Sequence, residues 1–402
     1  MIETGDRPPR GVHALRRRLY LLAFVDEFVP FAVLFTLWFA DNGITVAQLS
    51  LVFVLWATAA LLLEVPSGML ADRVDRRRLL AAAFLLRGIG IAVWLVVPTL
   101  TGLLVGATLW AIHEATASGA WEALIHDELE AIDAERDYAV VIARAGQFGN
   151  IGIAAAALVS TPLLGLGVDL EALGWITCAM HAASIGLVVS LPDVRWVVTR
   201  SRVAAVGDHS VAGMGETVRV VFRDRGVAIP VAVGAGVGGL AILDEYVPLL
   251  SRNRGLDDTF IPLVFLCVWA GLLVGGEIAA RQPTITSRTL AGFVAIGGAA
   301  ALVGLLTDPI WTLPLIGVAY AAIEATWVVS DARLQAGVPT HIRATVASVR
   351  GFGAALVVGL ALLAIGLMSS GDDPTPGLVV VAIALIATGP LVAKLPPATR
   401  DR

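Results

Sequence analysis

The chain contains twelve apolar runs, each long enough to cross a bilayer as a helix. A helix rises about 1.5 Å per residue, so roughly 20 apolar residues span the hydrocarbon layer. Backbone polar groups cannot bond to water in that layer, and we therefore predict an all-α membrane protein with twelve transmembrane helices. The predicted runs are 18–40, 47–69, 79–98, 100–123, 138–164, 170–191, 227–250, 260–280, 289–307, 310–332, 344–368 and 376–394.

Composition agrees with this class and argues against several others. Hydrophobic residues make up 57% of the chain and charged residues 15%, with a mean hydropathy of +0.82, whereas soluble proteins carry about 25% charged residues. Cys178 and Cys267 lie inside apolar runs and match no zinc or disulfide spacing. The sequence contains neither a phosphate-binding glycine loop with lysine nor a metalloprotease motif. We therefore expect no enzyme activity, no cofactor, no metal and no nucleic-acid partner.

Basic residues set the predicted orientation. With both termini in the cytoplasm, 23 of the 28 lysine and arginine residues lie in cytoplasmic segments, as the positive-inside rule requires. Arg252 and Arg254 lie outside, and Arg87, Arg144 and Arg350 lie within predicted helices. We therefore predict a multi-pass protein of the inner or plasma membrane with cytoplasmic termini, whose first helix is its own insertion signal.

Short sequences from the first half of the chain recur in the second. Their separation falls smoothly along the chain, through 218, 213, 210 and 206 residues, as small loop deletions after a duplication would produce. We therefore predict two six-helix halves, 1–191 and 227–402, joined by a polar cytoplasmic linker, 192–226. The matching pairs are DEFVP at 26–30 with DEYVP at 244–248, Trp56 and Glu64 with Trp269 and Glu277, EAT at 114–116 with EAT at 324–326, and Arg144 with Arg350.

The most specific motif lies between the second and third runs. Its sequence, GMLADRVDRRR at 68–78, combines a glycine that permits close helix approach, a carboxylate, and arginines that resist translocation. It resembles the Gly-x-Leu-Ala-Asp-Arg-x-Gly-Arg-Arg signature of the major facilitator superfamily. Asp75 stands where the family has its second glycine, and we expect it to tolerate a left-handed turn. With the helix count, the resemblance extends over nearly the whole chain.

This resemblance implies a secondary transporter in which the loop acts as a conformational latch. A generic positive-inside loop is the alternative interpretation. In the latch hypothesis, Asp72 meets positive charge near the start of helix 11. The predicted latch residues are Gly68, Asp72, Arg73, Arg76, Arg77 and Arg343.

Acidic residues occur in every helix that the resemblance places around a central cavity, namely helices 1, 4, 7 and 10. An unpaired charge inside the membrane is costly, so such residues are candidates for function. We predict Asp26 and Glu27 as the proton-coupling residues, because they lie slightly deeper than Asp244 and Glu245 on the predicted spans. The predicted substrate-cavity residues are His113, Glu114, Asp244, Glu245 and Glu324.

Prolines follow both acid pairs. Pro30 and Pro248 each lie four residues after the first acid of the pair, Asp26 or Asp244. A proline at this spacing leaves a backbone carbonyl without its helical partner. We therefore predict a locally weakened helix at each pair.

Structural ion pairing is the alternative interpretation of the intramembrane charges. The predicted residues of such pairs are Glu64, Arg87, Arg144, Glu277 and Arg350. Eight predicted intramembrane acids nevertheless outnumber three arginines and one histidine. Some carboxylates must therefore be protonated or reached by water, and either state suits proton coupling.

Three functions remain open on the sequence alone. Segments 117–129 and 343–350 resemble those of bacterial multidrug-type facilitators, which favours a proton-coupled exporter of small drug-like compounds. Helix 5 lacks the Gly-Pro pair typical of antiporters, so a proton symporter or importer of a metabolite is the alternative. A membrane receptor or scaffold is a third possibility. The predicted partners are a small solute, protons and the lipid bilayer, with the protein acting as a monomer.

Overall fold

The computed structural model describes residues 10–71, 74–132, 134–191, 223–282, 284–339 and 342–397. Helices dominate this described part of the chain, and short 3₁₀ turns connect several of them. The helices are α1 (Arg10–Glu27), α2 (Phe35–Asp41), α3 (Val46–Ala71), α4 (Arg76–Val96), α5 (Leu100–Glu130), α6 (Tyr138–Gly165), α7 (Leu170–Val189), α8 (Arg225–Gly239), α9 (Val247–Asn253), α10 (Ile261–Arg281), α11 (Ser287–Leu306), α12 (Leu315–Gly337), α13 (Arg343–Met368) and α14 (Thr375–Val392).

These helices account for the twelve predicted runs. Ten helical segments of the described chain are long and apolar enough to cross a membrane. The other two runs correspond to α1 with α2, where arginines extend the helix beyond the apolar run, and to α5, which carries several polar residues. The predicted all-α membrane fold is confirmed.

Runs 1 and 7 are interrupted at the repeated acid-proline sequences. The helix α1 ends at Glu27 and the chain resumes a helix only at Phe35, while α8 ends at Gly239 and a 3₁₀ turn precedes α9. Pro30 and Pro248 lie within or beside these breaks, as the missing amide hydrogen predicts. Asp26 lies 16 residues after Arg10, and Asp244 lies 19 residues after Arg225. The two acid pairs thus lie at similar distances from the starts of their helices, and the relative depth of the two pairs in the membrane stays a prediction.

The described residues form two compact units. Unit 1 contains residues 10–33 and 59–191, and unit 2 contains residues 34–58 and 223–397. In unit 1, α4 packs on α5 and α7, and α1 packs on α6 and α7. In unit 2, α11 packs on α12 and α14, and α8 packs on α13 and α14. The four pairings are the same in repeat order, so the sequence repeat has a counterpart in helix packing.

Residues 34–58 belong to the predicted N-terminal half, 1–191, but in the structure they pack in unit 2. The hydroxyl groups of Ser50 and Tyr246 are 2.6 Å apart and buried. A Cβ atom added to Gly366 would lie 2.9 Å from the Cβ of Ser50. Arg252 also binds both Asp41 and Asp258. Compact packing therefore does not follow the predicted halves over this segment, and most of the predicted linker lies outside the described residues.

Glycines let the helices α10 and α12 approach until their backbones touch. A Cβ atom on Gly271 would overlap the carbonyl of Gly317, and one on Gly317 would overlap the carbonyl of Cys267. One turn further, a Cβ atom on Gly275 would lie 2.9 Å from the Cβ of Glu324. Lipid tails are as apolar as the side chains, so close van der Waals packing of this kind holds membrane helices together.

Gly271→Ala is therefore expected to lower the free energy of unfolding by about 1–3 kcal/mol, as overpacking does in protein cores. Gly276 lies on the same helix, and a Cβ atom there would meet nothing within 4 Å. Gly276→Ala is the matched control and should unfold at the wild-type temperature or slightly above it. Thermal denaturation in detergent measures both variants, and equal loss in the two would contradict the packing assignment.

The predicted orientation is tested by cysteine labelling in intact cells. In a background lacking Cys178 and Cys267, Asp208→Cys in the linker should resist a membrane-impermeant maleimide. Leu256→Cys, between the seventh and eighth runs, should react with it. Labelling at position 208 without permeabilisation would overturn the cytoplasmic placement of the linker.

Candidate functional site

A buried charged cluster in unit 1 surrounds Asp26, at the end of α1. The nearest guanidinium nitrogen of Arg87 lies 3.5 Å from the Asp26 carboxylate, and Nδ1 of His181 lies 3.8 Å from the same oxygen. Arg87 is 6% exposed and His181 1% exposed. The cluster joins α1, α4 and α7, so three helices of one unit meet at one carboxylate.

Trp110 supports the arginine of this cluster. The guanidinium carbon of Arg87 lies 4.6 Å from the centre of the Trp110 ring, and Trp94 stacks on Trp110 with ring centres 5.4 Å apart. A cation over an indole face gains roughly 2 kcal/mol when both groups are desolvated. Arg87 is therefore attracted to two groups. The attraction to the Asp26 carboxylate disappears when that carboxylate takes a proton, whereas the attraction to the Trp110 ring does not depend on a proton.

The other predicted residues of unit 1 lie around this cluster in different environments. His113 is buried, and its Nδ1 lies 2.9 Å from the carbonyl oxygen of Ala83, which links α5 to α4. Glu114 is exposed. Glu27 is half-buried, and a Cβ atom on Gly149 of α6 would lie 3.3 Å from its Cγ. Glu27 thus lies against α6, while Asp26 faces α4 and α7.

In unit 2, Asp244 is hydrogen-bonded to an uncharged partner. The hydroxyl group of Tyr320 donates to the carboxylate of Asp244 at 2.7 Å, and the same hydroxyl accepts the backbone N–H of Asp244 at 2.8 Å. Among the described residues, no arginine, lysine or histidine lies within ion-pair distance of this carboxylate. The repeated acids Asp26 and Asp244 therefore have partners of different charge.

The neighbours of Asp244 divide into buried and partly accessible groups. Tyr246 is fully buried and bonded to Ser50. Glu245 and Glu324 are half-buried. The structure thus places the three predicted acids of unit 2 on the broken helix and on α12, and their role in a substrate cavity stays a prediction.

The predicted ion-pair residues fall into separate places. Arg350 forms an ion pair with Asp331 at 2.5 Å, and its guanidinium carbon lies 4.9 Å from the centre of the Trp327 ring. Glu277 pairs with Arg281 one turn away on an exposed face. Arg144 is exposed and forms no ion pair with the described residues, so the structure does not bring it to an acid. The side chain of Glu64 lies outside the described part.

The latch motif is described only in part. Asp75 does not take a left-handed conformation; its φ is −54°, and its carboxylate caps α4 by accepting the N–H groups of Arg77 and Arg78. An N-cap explains why the chain accepts aspartate in place of glycine at this position. Asp72 and Arg73 lie outside the described residues, so the predicted latch, which also includes Gly68 in α3, stays a prediction.

The remaining arginines of the motif bind within unit 1 or to their own segment. Arg76 donates to the carbonyl of Ala123 at 3.2 Å and binds Asp127. Arg77 donates to the carbonyl of Val189 at 3.0 Å. Arg343, in unit 2, donates to the carbonyl of Val338 at 3.1 Å. Arg76 and Arg77 therefore tie the start of α4 to the ends of α5 and α7.

Sequence reasoning missed His181, Trp110 and Tyr320. His181 lies in the middle of an apolar run, where a search for every polar ring as well as every charge would have found it. Trp110 and Tyr320 each lie four residues before the acid of a repeated EAT sequence. One helical turn separates such residues, so an aromatic partner on the same face could have been predicted from the repeat.

Removing the arginine should destabilise the protein more than removing the acid. Arg87→Gln leaves a carboxylate that is only 19% exposed without its arginine partner, and we expect a loss of about 3 kcal/mol in the free energy of unfolding. Asp26→Asn should cost less, because Arg87 keeps Trp110. The loss from Arg87→Gln should shrink at acidic pH, where a protonated Asp26 needs no partner.

The double variant of Asp26→Asn and Arg87→Gln should lose less stability than the sum of the single variants, measured by denaturation in detergent. Arg281→Gln, which breaks an exposed pair, is the control and should cost about 1 kcal/mol or less. Strict additivity of the two buried changes would show that Asp26 and Arg87 do not interact.

Comparison with known proteins gives the family of this chain. A family model of the Major Facilitator Superfamily matches residues 19–362. A mutant of the nucleoside transporter NupG has a similar structure, with a TM-score of 0.75, 16% identity, and coverage of 94% of this chain and 99% of that one. No curated protein matches the sequence significantly.

Two further solved structures are similar to the chain. A bacterial homologue of the human lysosomal transporter Spinster, inward-facing and unoccupied, has a TM-score of 0.65 and 18% identity over 96% of this chain and 95% of that one. A D-xylose-proton symporter has a TM-score of 0.70 and 14% identity over 96% and 98%. At these identities the structures share the fold, and the family model covers most of the sequence. The chain therefore belongs to the major facilitator superfamily, as a multi-pass membrane transporter that works by alternating access.

Proposed function

We propose that this transporter couples the movement of a small organic solute to protons at Asp26. The observation that carries the proposal is the cluster in unit 1, where one carboxylate lies between Arg87 and His181 inside the bundle. A carboxylate in this position can be either ionised and paired or protonated and unpaired. Each state places a different net charge in the protein, and charge is what proton coupling must transfer.

Arg87 makes the two protonation states mechanically different. When Asp26 is ionised, it attracts Arg87 and holds α1 to α4. When Asp26 takes a proton, this attraction is lost, while the Trp110 ring still holds the guanidinium. The end of α1 is then released next to the break at Pro30, where backbone hydrogen bonding is already incomplete. Proton binding can therefore change the freedom of the broken helix.

His181 is the second titratable group that contacts Asp26 in the cluster. Both of its ring nitrogens are buried without a hydrogen-bond partner among the described residues. Its distance of 3.8 Å from Asp26 is short enough for a proton to pass after a small movement. Glu27, which packs on α6 instead, is the less favourable of the two predicted coupling residues.

Asp244 differs because Tyr320 satisfies it without a cation. Such a site can hold the broken helix in shape without changing its charge in each cycle. Asp244, Glu245, Glu114 and Glu324 are therefore proposed to shape the substrate cavity. Since Asp26 neutralises Arg87, the acids leave a negative balance, which favours neutral or cationic solutes over anions.

Symport is favoured over the predicted export. One structural neighbour is named a D-xylose-proton symporter and another a nucleoside transporter. Their fold supports uptake of a polar metabolite together with protons. Export by proton antiport would use the same carboxylate, but the proton would move in the direction opposite to the solute. The direction of proton movement therefore distinguishes symport from antiport. A receptor or scaffold would move neither solute nor protons.

The sign can be measured in proteoliposomes that contain a pH-sensitive dye. Nucleosides, monosaccharides and lipophilic cations such as ethidium are added outside, one compound at a time. Symport acidifies the lumen because solute and proton enter together, whereas antiport makes it more alkaline. We expect acidification with at least one nucleoside or monosaccharide.

Asp26→Asn should abolish proton movement and gradient-driven accumulation of that compound, while solute exchange down its own gradient persists. Glu277→Gln, on an exposed face, is the matched control and should retain both activities. Alkalinisation would favour export instead. Full gradient-driven transport by Asp26→Asn would move the coupling site to another residue.

A further inference from the structure

A groove of about 700 Å³ runs between α1 and α6 in unit 1. One helix presents residues 13–24 to it and the other presents residues 140–151. On α1 the polar lining residues lie near the helix start and the apolar ones lie further along, and on α6 Arg144 precedes Phe148 and Ile151, with Val140 one turn before it. The groove therefore has a cationic end and an apolar end, and its volume falls in the usual range for small-ligand sites.

The cationic end has positive charge available for a ligand. Arg17 and Arg144 line the groove and are exposed, and neither forms an ion pair with the described residues. Arg16 lies beside them but is already paired with Asp137 at 2.5 Å. His13 adds a polar ring at the same end. Two uncompensated guanidinium groups on neighbouring helices suit a phosphate group, which they can bind from two sides.

The apolar end is built from aromatic and branched side chains. Tyr20 of α1 stacks on Phe148 of α6, with ring centres 5.1 Å apart and planes 5° apart. Leu21 and Ile151 are 45% and 53% exposed along the groove. Arg144 and Ile151 are seven residues apart, or roughly 10 Å along the helix. The polarity thus changes from charged to fully apolar over a distance comparable to that between a headgroup and the upper part of an acyl chain.

We propose that this groove binds an anionic phospholipid of the cytoplasmic leaflet. Its phosphate contacts Arg17 and Arg144, and its acyl chain follows Tyr20, Phe148 and Ile151. With the predicted cytoplasmic N-terminus, the arginines lie at the depth of headgroups and the apolar walls face the hydrocarbon, and basic pockets between membrane helices at this face suit acidic headgroups. A soluble anion would contact only the arginines, whereas a phospholipid would contact both the arginines and the apolar end of the groove.

A lipid in this groove would act on the helix that carries the proposed coupling site. It would bridge α1 and α6 on one side, and the same two helices meet at Glu27 and Gly149, next to the apolar end of the groove. The inference does not depend on proton coupling, because lipid binding can be measured without transport.

The experiment uses the purified full chain in detergent and a fluorescent phosphatidylglycerol, with binding followed by anisotropy. Arg17→Gln and Arg144→Gln should each weaken binding about five-fold, as expected for loss of one basic contact to an acidic headgroup. The double variant should bind about 25-fold more weakly. Ile151→Trp, which fills the apolar end without changing charge, should also weaken binding.

Arg288→Gln is the matched control, because Arg288 is an exposed arginine at the start of α11 and is not one of the residues that line the groove. It should bind the lipid as the wild type does. Unlabelled phosphatidylglycerol should displace the probe, whereas phosphatidylcholine and glycerol 3-phosphate should do so poorly. Equal displacement by phosphatidylcholine, equal displacement by glycerol 3-phosphate, or unchanged binding by the double arginine variant would each overturn the proposal.

Discussion

The energetic cost of placing a charge inside a membrane determines which residues surround Asp26. Asp26 is placed among three helices of unit 1, where it has Arg87 as a positive partner and His181 close by. Because an unpaired charge inside a membrane is costly, the partners of Asp26 bear on both its charge and the positions of the helices that carry them. Trp110 then holds Arg87 independently of the state of Asp26. A single proton can therefore alter one contact of the arginine while leaving the other in place.

The two repeats meet the same constraint by different chemistry. Asp26 lies at a broken helix with a cationic partner, and Asp244 lies at the corresponding break with the hydroxyl group of Tyr320 as its partner. The prolines that follow both acids explain the breaks, since each removes a backbone donor from the helix. Both repeats thus have the broken helix and the acid, and the partner of the acid differs between them. The proposed function accordingly assigns coupling to one repeat and the substrate cavity to the other.

Close helix packing complements these polar contacts. Gly271 and Gly317 bring two backbones of unit 2 together, and Gly152 lets α6 approach the backbone of Phe24 next to the acidic end of α1. Nearer the start of α6, the groove between α1 and α6 stays open, because its walls carry arginines and large rings instead of small residues. The same pair of helices is therefore tightly packed at Gly152 and open at Arg144, within about two turns.

The sequence by itself determined the number of spans, the repeat and the breaks at Pro30 and Pro248, because hydrophobic length and proline chemistry are local properties of the chain. The loop motif also indicated the family, although the prediction of a left-handed Asp75 was wrong and the residue instead caps α4. Only the tertiary structure decided which charges meet. Arg87 reaches Asp26 across 61 residues, His181 joins from a third helix, and Arg144 remains exposed although the pattern suggested an ion pair. Those partners depend on how helices rotate and pack against one another, and spacing along one helix carries no information about the rotation of its neighbour.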